Sequence, residues 1–456
     1  MTDFRASAHA VPIERTEQLV ERFHAAAKPR ADWKIGTEYE KLAVDADTGR
    51  AISFAGPRGI ERLLLSLAER FGWEPREEDG ATIALARGDL SVTLEPGGQI
   101  ELAGAPVDSV HAAQAEVADH VRELVTVGED MGIRFLGLGC HPVSQLDDIP
   151  WVPKERYRIM REYMPRVGTL GHRMMKQTAT VQANLDFSSE RDAMVKLRVG
   201  MGAAPIVNAI FANSPFVDGD LSGHLSFRGH VWTDTDRARC GLLPFVFRDD
   251  ASFAHYVEWA LDVPMYFILR DGRYVTDVTG TPFRRFLAEG WRGERATLDD
   301  WNLHLTTLFP EVRLKGFIEL RSADGQLPDR VLALPALAKG LFYTDDCQQA
   351  ALDLVKRWSI DQVRELYLDV TRGGFAARIR GVHVEELARE LLAIAEEGLR
   401  RQAVLDAEGR DERRYLDPVI AQVASGRTAA DDLIRRWNGT WERRFPPLID
   451  ACSLRA

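Results

Sequence analysis

Glutamate recurs in this sequence at spacings that gather it on one side of an extended chain. In Lys34-Ile-Gly-Thr-Glu-Tyr-Glu-Lys41, the two-residue period of a strand puts Glu38 and Glu40 on one face and Thr37 and Tyr39 on the other. In Thr93-Leu-Glu-Pro-Gly-Gly-Gln-Ile-Glu-Leu102, Glu95 ends one strand and Glu101 sits on the next extended piece. Gly97 and Gly98 between them permit a close backbone approach or a positive φ. Thr178-Ala-Thr-Val-Gln-Ala-Asn-Leu185 alternates strictly, so Thr178, Thr180, Gln182 and Asn184 share a polar face. In Phe317-Ile-Glu-Leu-Arg321, Glu319 and Arg321 share a face opposite Ile318 and Leu320.

Each segment alone also describes something bland: a solvated sheet face, a turn with surface acids, a half-exposed edge strand or a surface ion pair. Together, Glu38, Glu40, Glu95, Glu101 and Glu319 would repel one another if clustered, and hard divalent cations with oxygen ligands relieve that repulsion. Magnesium shares its ligands with phosphate and water, so a nucleotide is the expected companion. Arg321 could then neutralise charge on a transferring phosphoryl group.

Competing motifs are weaker. There is no GxxxxGK[ST] loop of the phosphate-cradling kind. Gly200-Met-Gly202 lies in a helical run with no strand before it, which suits helix packing better than a dinucleotide site. Cys140-His141 invites a cysteine-hydrolase reading, yet adjacent residues seldom face each other.

The elements that must carry these residues follow from periodicity. Amphipathic helices are expected at Thr16–Ala27 and Arg58–Phe71, and a longer one begins after Asp108 or Ser109, with Val110, Ala113, Val117, Val121 and Leu124 as its stripe. A mostly apolar helix spans Asp192–Ala212. Strands are expected at Ile35–Val44, Ala81–Arg87, Ser91–Leu94, Arg134–Gly139, Thr178–Phe187, Met265–Leu269 and Leu314–Arg321, with Gly88-Asp89 as a hairpin turn. From about Val331 the chain turns predominantly helical, with Leu387, Leu391, Ile394 and Gly398 facing inward. Strands first and helices last predict an α+β fold, organised as a single catalytic domain over 1–456.

The 456 residues carry 45% apolar and 28% charged side chains with a net charge of −11, a globular composition without the basic footprint of a nucleic-acid binder. No apolar run approaches the roughly 20 residues of a membrane span. Cys140, Cys240, Cys347 and Cys452 show no metal-binding spacing, and Met1–Glu14 has no signal-peptide core. A cytoplasmic monomer or homodimer is expected.

The same segments, in the same order, resemble the plant-type glutamate–cysteine ligases, also found in bacteria, and the chain is identified as a bacterial member. The blocks that carry the resemblance include Ile35-Gly-Thr-Glu-Tyr-Glu-Lys41, Leu94-Glu-Pro-Gly-Gly-Gln-Ile-Glu-Leu102, Tyr163-Met-Pro-Arg-Val-Gly-Thr-Leu-Gly171, Asn184-Leu-Asp-Phe-Ser-Ser-Glu190, Leu305-Thr-Thr-Leu-Phe-Pro-Glu-Val-Arg-Leu-Lys315 and Glu319-Leu-Arg-Ser-Ala-Asp324. The resemblance implies a glutamine-synthetase-like fold, a curved and largely antiparallel sheet forming a funnel surrounded by helices. It implies ATP- and Mg²⁺-dependent ligation of the L-glutamate γ-carboxylate to the L-cysteine amine through γ-glutamyl phosphate, the first step of glutathione biosynthesis. A related ligase with another amine acceptor, or a non-catalytic glutamate- or nucleotide-binding protein, are the alternatives.

By resemblance, Glu38, Glu40, Glu95, Glu101 and Glu319 match the magnesium-binding positions, with Gln182 or Asn184 nearby, and Arg321 matches the arginine placed for phosphoryl transfer. Arg156-Tyr157 and Ser226-Phe-Arg-Gly-His230 nominate Arg156 and Arg228 for glutamate's carboxylates, a task that suits a forked guanidinium. Trp232 is a further candidate for the acceptor pocket. The family's redox cysteine pairs have no counterpart at Gln114, Leu332 or Val278, nor in the segment after Gly280, which removes the disulfide control.

Overall fold

Eleven residues of extended chain, Ile35–Asp45, form β1 at the middle of the main sheet; the computed structural model describes residues 11–456. Residues 1–10, most of the stretch read for a leader, lie outside the described residues. The other strands are β2 Glu74–Glu78, β3 Ala81–Arg87, β4 Leu90–Leu94, β5 Ile100–Ala103, β6 Ile133–Leu136, β7 Thr180–Leu185, β8 Val312–Leu314 and β9 Ile318–Asp324. They run in the order β8-β9-β7-β1-β5-β4-β3-β2, with β6 paired to the Leu42–Asp45 end of β1. All of these pairings are antiparallel. With helices packed around one large antiparallel sheet, the fold is the α+β class expected.

Alternation along β1 divides its side chains between core and cavity. Ile35 and Tyr39 belong to the hydrophobic core, and the Tyr39 hydroxyl donates to the Gln326 carbonyl at 2.9 Å. Glu38 and Glu40 instead line a cavity. Helix Ala333–Phe342 packs on β7 and β1, helix Val384–Gln402 packs on that helix, and helix Glu190–Ile210 packs on β9 and β8. The helical portion expected from about residue 331 is thus joined to the sheet through its core.

Four local expectations need correction. The span Leu314–Arg321 is two strands, β8 and β9, joined by a turn at Lys315–Phe317 in which Lys315 N donates to Phe317 O at 2.8 Å. The strand placed at Met265–Leu269 is Ile268–Arg270, in a separate hairpin with Arg273–Val275. The strand expected through Gly139 stops at Leu136. Finally, helix Glu190–Ile210 is long and apolar enough to cross a membrane by composition, with a mean hydropathy of 1.2, although 89% of that window is buried inside the fold. Burial against other elements is what marks it as a core helix. Gly200 and Gly202 lie within it against Val312, Leu320 and Val355, the packing role expected.

Candidate active site

Strand register brings the scattered residues together. Across β1 and β5, Glu40 stands opposite Glu101; across β1 and β7, Glu38 stands opposite Gln182; across β9 and β7, Glu319 stands opposite Asn184. Gln182 Nε2 and Asn184 Nδ2 donate to the two oxygens of Glu38 at 2.9 and 3.0 Å. Gly36 makes the second bond possible. It lies opposite Asn184, and a Cβ there would sit 3.1 Å from Asn184 Cβ.

Glu40 accepts from Thr180 N at 3.0 Å and Glu101 from Thr93 Oγ1 at 3.0 Å. The β4–β5 turn that carries Glu95 uses its two glycines differently. Gly97 packs on the Lys176 carbonyl, where a Cβ would come within 2.3 Å of the oxygen, and Gly98 holds φ at +83°. Both roles proposed for the pair are therefore used, one by each residue.

A cavity of about 680 Å³ collects these groups: Glu38, Glu40, Glu95 and Glu101 line it together with Gln182, Arg156, Arg228, Arg321 and Trp232. Burial, and then the neighbouring Glu319 and Glu101, push the Glu38 carboxyl up to about 7. Burial and then Glu95 push Glu101 up to about 7. Glu40 is raised well above the usual carboxylate range, again by burial first and then by Glu95 and Glu101. Burial and mutual repulsion outweigh the nearby cations, Lys315 for Glu38, Arg228 and Arg321 for Glu40 and Lys154 for Glu101, and the bland surface reading fails for Glu40 at 8% exposure.

Glu319 is placed differently from the other four. It is fully buried at 0% exposure and sits behind the cavity lining, as does Asn184. Arg313 grips it with two bonds, Nε to Oε2 at 2.6 Å and Nη2 to Oε1 at 2.9 Å, and Arg321 Nη1 adds a third at 3.0 Å. Lys315 Nζ stands 3.5 Å away. Burial alone would raise this carboxyl, but Arg313, Lys315 and Arg321 hold it well below the usual range. Arg313 and Lys315 were not singled out from sequence, although Arg313-Leu-Lys315 shows the same two-residue alternation that marked the glutamates.

Arg321 is re-aimed by a β-bulge. The register moves from Leu320↔Ala183 to Ala323↔Val181, so Arg321 and Ser322 together oppose Gln182. Such bulges redirect side chains beside functional sites. Here the guanidinium bonds both Glu319 and the Gln182 side-chain oxygen.

Arg228 comes from the short helix Phe227–Trp232, capped by Ser226, whose hydroxyl accepts from Gly229 N. Asp324, at the end of β9, anchors that helix by accepting from Ser226 Oγ at 2.8 Å and Ser214 Oγ at 2.6 Å. Arg228 Nη2 donates to the Arg321 carbonyl at 2.8 Å. Arg228 Nη1, Arg156 Nε and Trp232 Nε1 are all buried without a partner, which is unusual for donors of this strength. Lys154 also lines the cavity, donating to the Leu94 carbonyl at 2.9 Å, and burial pushes its ammonium down to about 8.

Cys140-His141 forms no nucleophile and base. The thiol is buried and pushed far above its usual range, while His141 Nδ1 accepts from the Val143 and Ser144 amides at 3.3 and 3.2 Å. All four cysteines are free.

The cavity is therefore lined both by carboxylates from β1, the β4–β5 turn and β5 and by cations from β8, β9 and two helices. Among the described residues no three His, Cys, Asp or Glu side chains converge as a ready metal cage. Carboxylate oxygens are ligands that a hard divalent cation accepts, and the cationic groups suit anionic substrates and phosphates.

Comparison with known proteins agrees. A solved glutamate–cysteine ligase from Francisella tularensis, in complex with AMP, shares the fold at a TM-score of 0.54 and 14% identity, over 92% of this chain and 87% of that one. Chloroplastic glutamate–cysteine ligase B of Oryza sativa subsp. japonica is 45% identical over 95% of this chain and 86% of its own length. The Arabidopsis thaliana chloroplastic enzyme is 44% identical over 96% of this chain and 83% of its own. These relatives place the chain among the carboxylate–amine ligases. The model of glutamate–cysteine ligase family 2 matches residues 34–447, and the chain belongs to that family.

Proposed function

We propose that this protein joins the γ-carboxylate of L-glutamate to the amine of L-cysteine, using ATP and Mg²⁺, as the first step of glutathione biosynthesis. The observation that carries the reading is that one cavity is lined by the carboxylates Glu38, Glu40, Glu95 and Glu101 together with the guanidiniums of Arg156, Arg228 and Arg321.

The carboxylates on β1, the β4–β5 turn and β5 would hold magnesium, which would supply neutralising charge for ATP phosphates. Glu319 takes part from behind the lining by accepting from Arg321 Nη1 and so orienting that guanidinium. Arg156 and Arg228, each with a buried unpartnered N–H, bind glutamate's carboxylates. Arg321 stabilises charge on the γ-phosphoryl group as its P–O bond to ADP breaks, ADP leaves with the electron pair, and a γ-carboxylate oxygen bonds the phosphorus. The cysteine nitrogen then bonds the γ-carbon of γ-glutamyl phosphate. The C–O bond to phosphate breaks, phosphate leaves with the electron pair, and the amine proton passes to solvent.

Residues 1–456 act as one catalytic unit in this reading, supported by the packing of helix Ala333–Phe342 on β7 and β1. A cytoplasmic location is supported by the four free thiols. The deciding experiment incubates purified protein with glutamate, ATP and magnesium and follows phosphate release with a panel of amines. Release that depends on cysteine is expected, and its absence refutes the proposal. Turnover with a different amine alone would reassign the acceptor.

A further inference from the structure

A second cavity, of about 730 Å³, lies on the far side of Trp232. Its walls are mainly apolar and include Leu242, Leu243, Trp259, Val263 and Tyr367. Trp232 lines both this cavity and the one that holds the carboxylates. Its indole stands at the boundary with Arg228 and Arg321 each 5.9 Å from the ring, and with Phe309 tilted against it at 6.0 Å. Its Nε1 has no hydrogen-bond partner. Trp232 is thus the lining residue that the two cavities share, and its indole is held by ring contacts and not by hydrogen bonding.

The position of Trp232 relative to the chemistry follows from Arg321. In the proposed reaction Arg321 marks where the γ-carboxyl is phosphorylated, so the attacking amine must approach within reach of the same guanidinium. Trp232 packs beside that guanidinium. The amine's substituent therefore meets the indole, and beyond the indole is apolar space.

We propose that Trp232 sets the upper size limit on the amine acceptor by closing the second cavity to the acceptor's side chain. A small side chain such as cysteine's fits in front of the indole, while branched or aromatic ones are excluded. With the indole removed, the second cavity becomes a pocket for apolar side chains, and the bonds made and broken are unchanged. A steric limit is the suitable device here, because apolar contact alone discriminates poorly between side chains of different size.

This inference rests on the proposed ligase reaction, and the wild-type enzyme separates the two. If wild type shows no cysteine-dependent phosphate release, the reaction is wrong. If it does, initial rates with L-cysteine, L-leucine and L-phenylalanine are compared between wild type and Trp232→Ala, with Trp232→Leu as the second variant should the alanine form fail to fold. The ratio of leucine or phenylalanine turnover to cysteine turnover is expected to rise by about tenfold or more. A ratio unchanged in a variant that melts normally overturns the proposal. Leu242 faces the second cavity only, so Leu242→Trp should leave cysteine turnover unchanged but cancel the gain when combined with Trp232→Ala. Persistence of the gain in the double variant would overturn the assignment of that cavity.

Discussion

Glu40 and Glu101 stand directly opposite each other across the β1–β5 pairing. Opposed residues on antiparallel strands bring their Cβ atoms to about 5 Å, where like charges destabilise the sheet. Each carboxylate accepts one hydrogen bond, from Thr180 N and Thr93 Oγ1 respectively, and both have raised proton affinity. In the proposed reaction a cation binds beside this pair, which would offset the repulsion that the sheet otherwise carries.

Glu40→Gln removes one charge of this pair and preserves its shape. The metal-free protein should become more stable at pH 8 by about 1 kcal/mol, while activity falls by about 10²-fold or more through loss of a cation ligand. Thermal melting in chelator and cysteine-dependent phosphate release measure the two effects. A variant with full activity would remove Glu40 from the metal site.

The pH dependence has a definite sign. Glu38 and Glu101 titrate near 7 in the folded chain, against an ordinary 4.5, so the fold binds extra protons between those values. Their contribution to stability is full below about 4.5 and is lost as pH rises through 7. Without divalent cations the melting temperature should therefore fall between pH 5.5 and pH 8, less steeply in Glu38→Gln. Added magnesium should stabilise more at pH 8 than at pH 6 and release protons near pH 6, which calorimetry in buffers of different ionisation enthalpy would detect.

Arg313 and Arg321 should separate under mutation. Arg313→Ala takes two of the three hydrogen bonds from the fully buried Glu319 and should destabilise the protein by about 3 kcal/mol, read by urea denaturation. Arg321→Lys should leave stability nearly intact and lower turnover by about 10²–10³-fold, because an ammonium cannot reproduce the forked contact with phosphoryl oxygens. Equal stability losses in both variants would contradict this division.

Gly97→Ala places a methyl 2.3 Å from the Lys176 carbonyl oxygen and should cost about 1–3 kcal/mol. Gly36→Ala crowds Asn184 and should loosen its bond to Glu38. The expected result is weaker magnesium dependence with a smaller loss of stability, and Asn184→Ala should reproduce it. Titrating activity against magnesium in both variants tests the link.

Much of the site was legible locally. The shared face of Glu38 and Glu40, the polar face of Gln182 and Asn184, and the common side of Glu319 and Arg321 all follow from a two-residue period that each strand imposes on itself. The Val110–Met131 helix was legible too, from its apolar stripe and from Ser109, whose side chain accepts from Ala112 N. By contrast, β2 escaped notice because Glu74-Pro-Arg-Glu-Glu78 has no apolar alternation and is largely exposed; it is a strand through its backbone pairing with β3. The turn between β8 and β9 was hidden because Arg313, Lys315, Glu319 and Arg321 keep even spacing, in step with a strand's two-residue period, straight through it.

By itself, then, the sequence determined which glutamates could face the same way and, through its ordered motifs, the family to which the chain belongs. Only the tertiary structure decided which of them meet. Register between strands remote in the chain set Glu40 against Glu101, drew Glu319 back into the grip of Arg313, and spent an extra residue at the bulge to aim Arg321. Side-chain period is a property of a strand alone, whereas register depends on hydrogen bonds between strands, which no single segment contains.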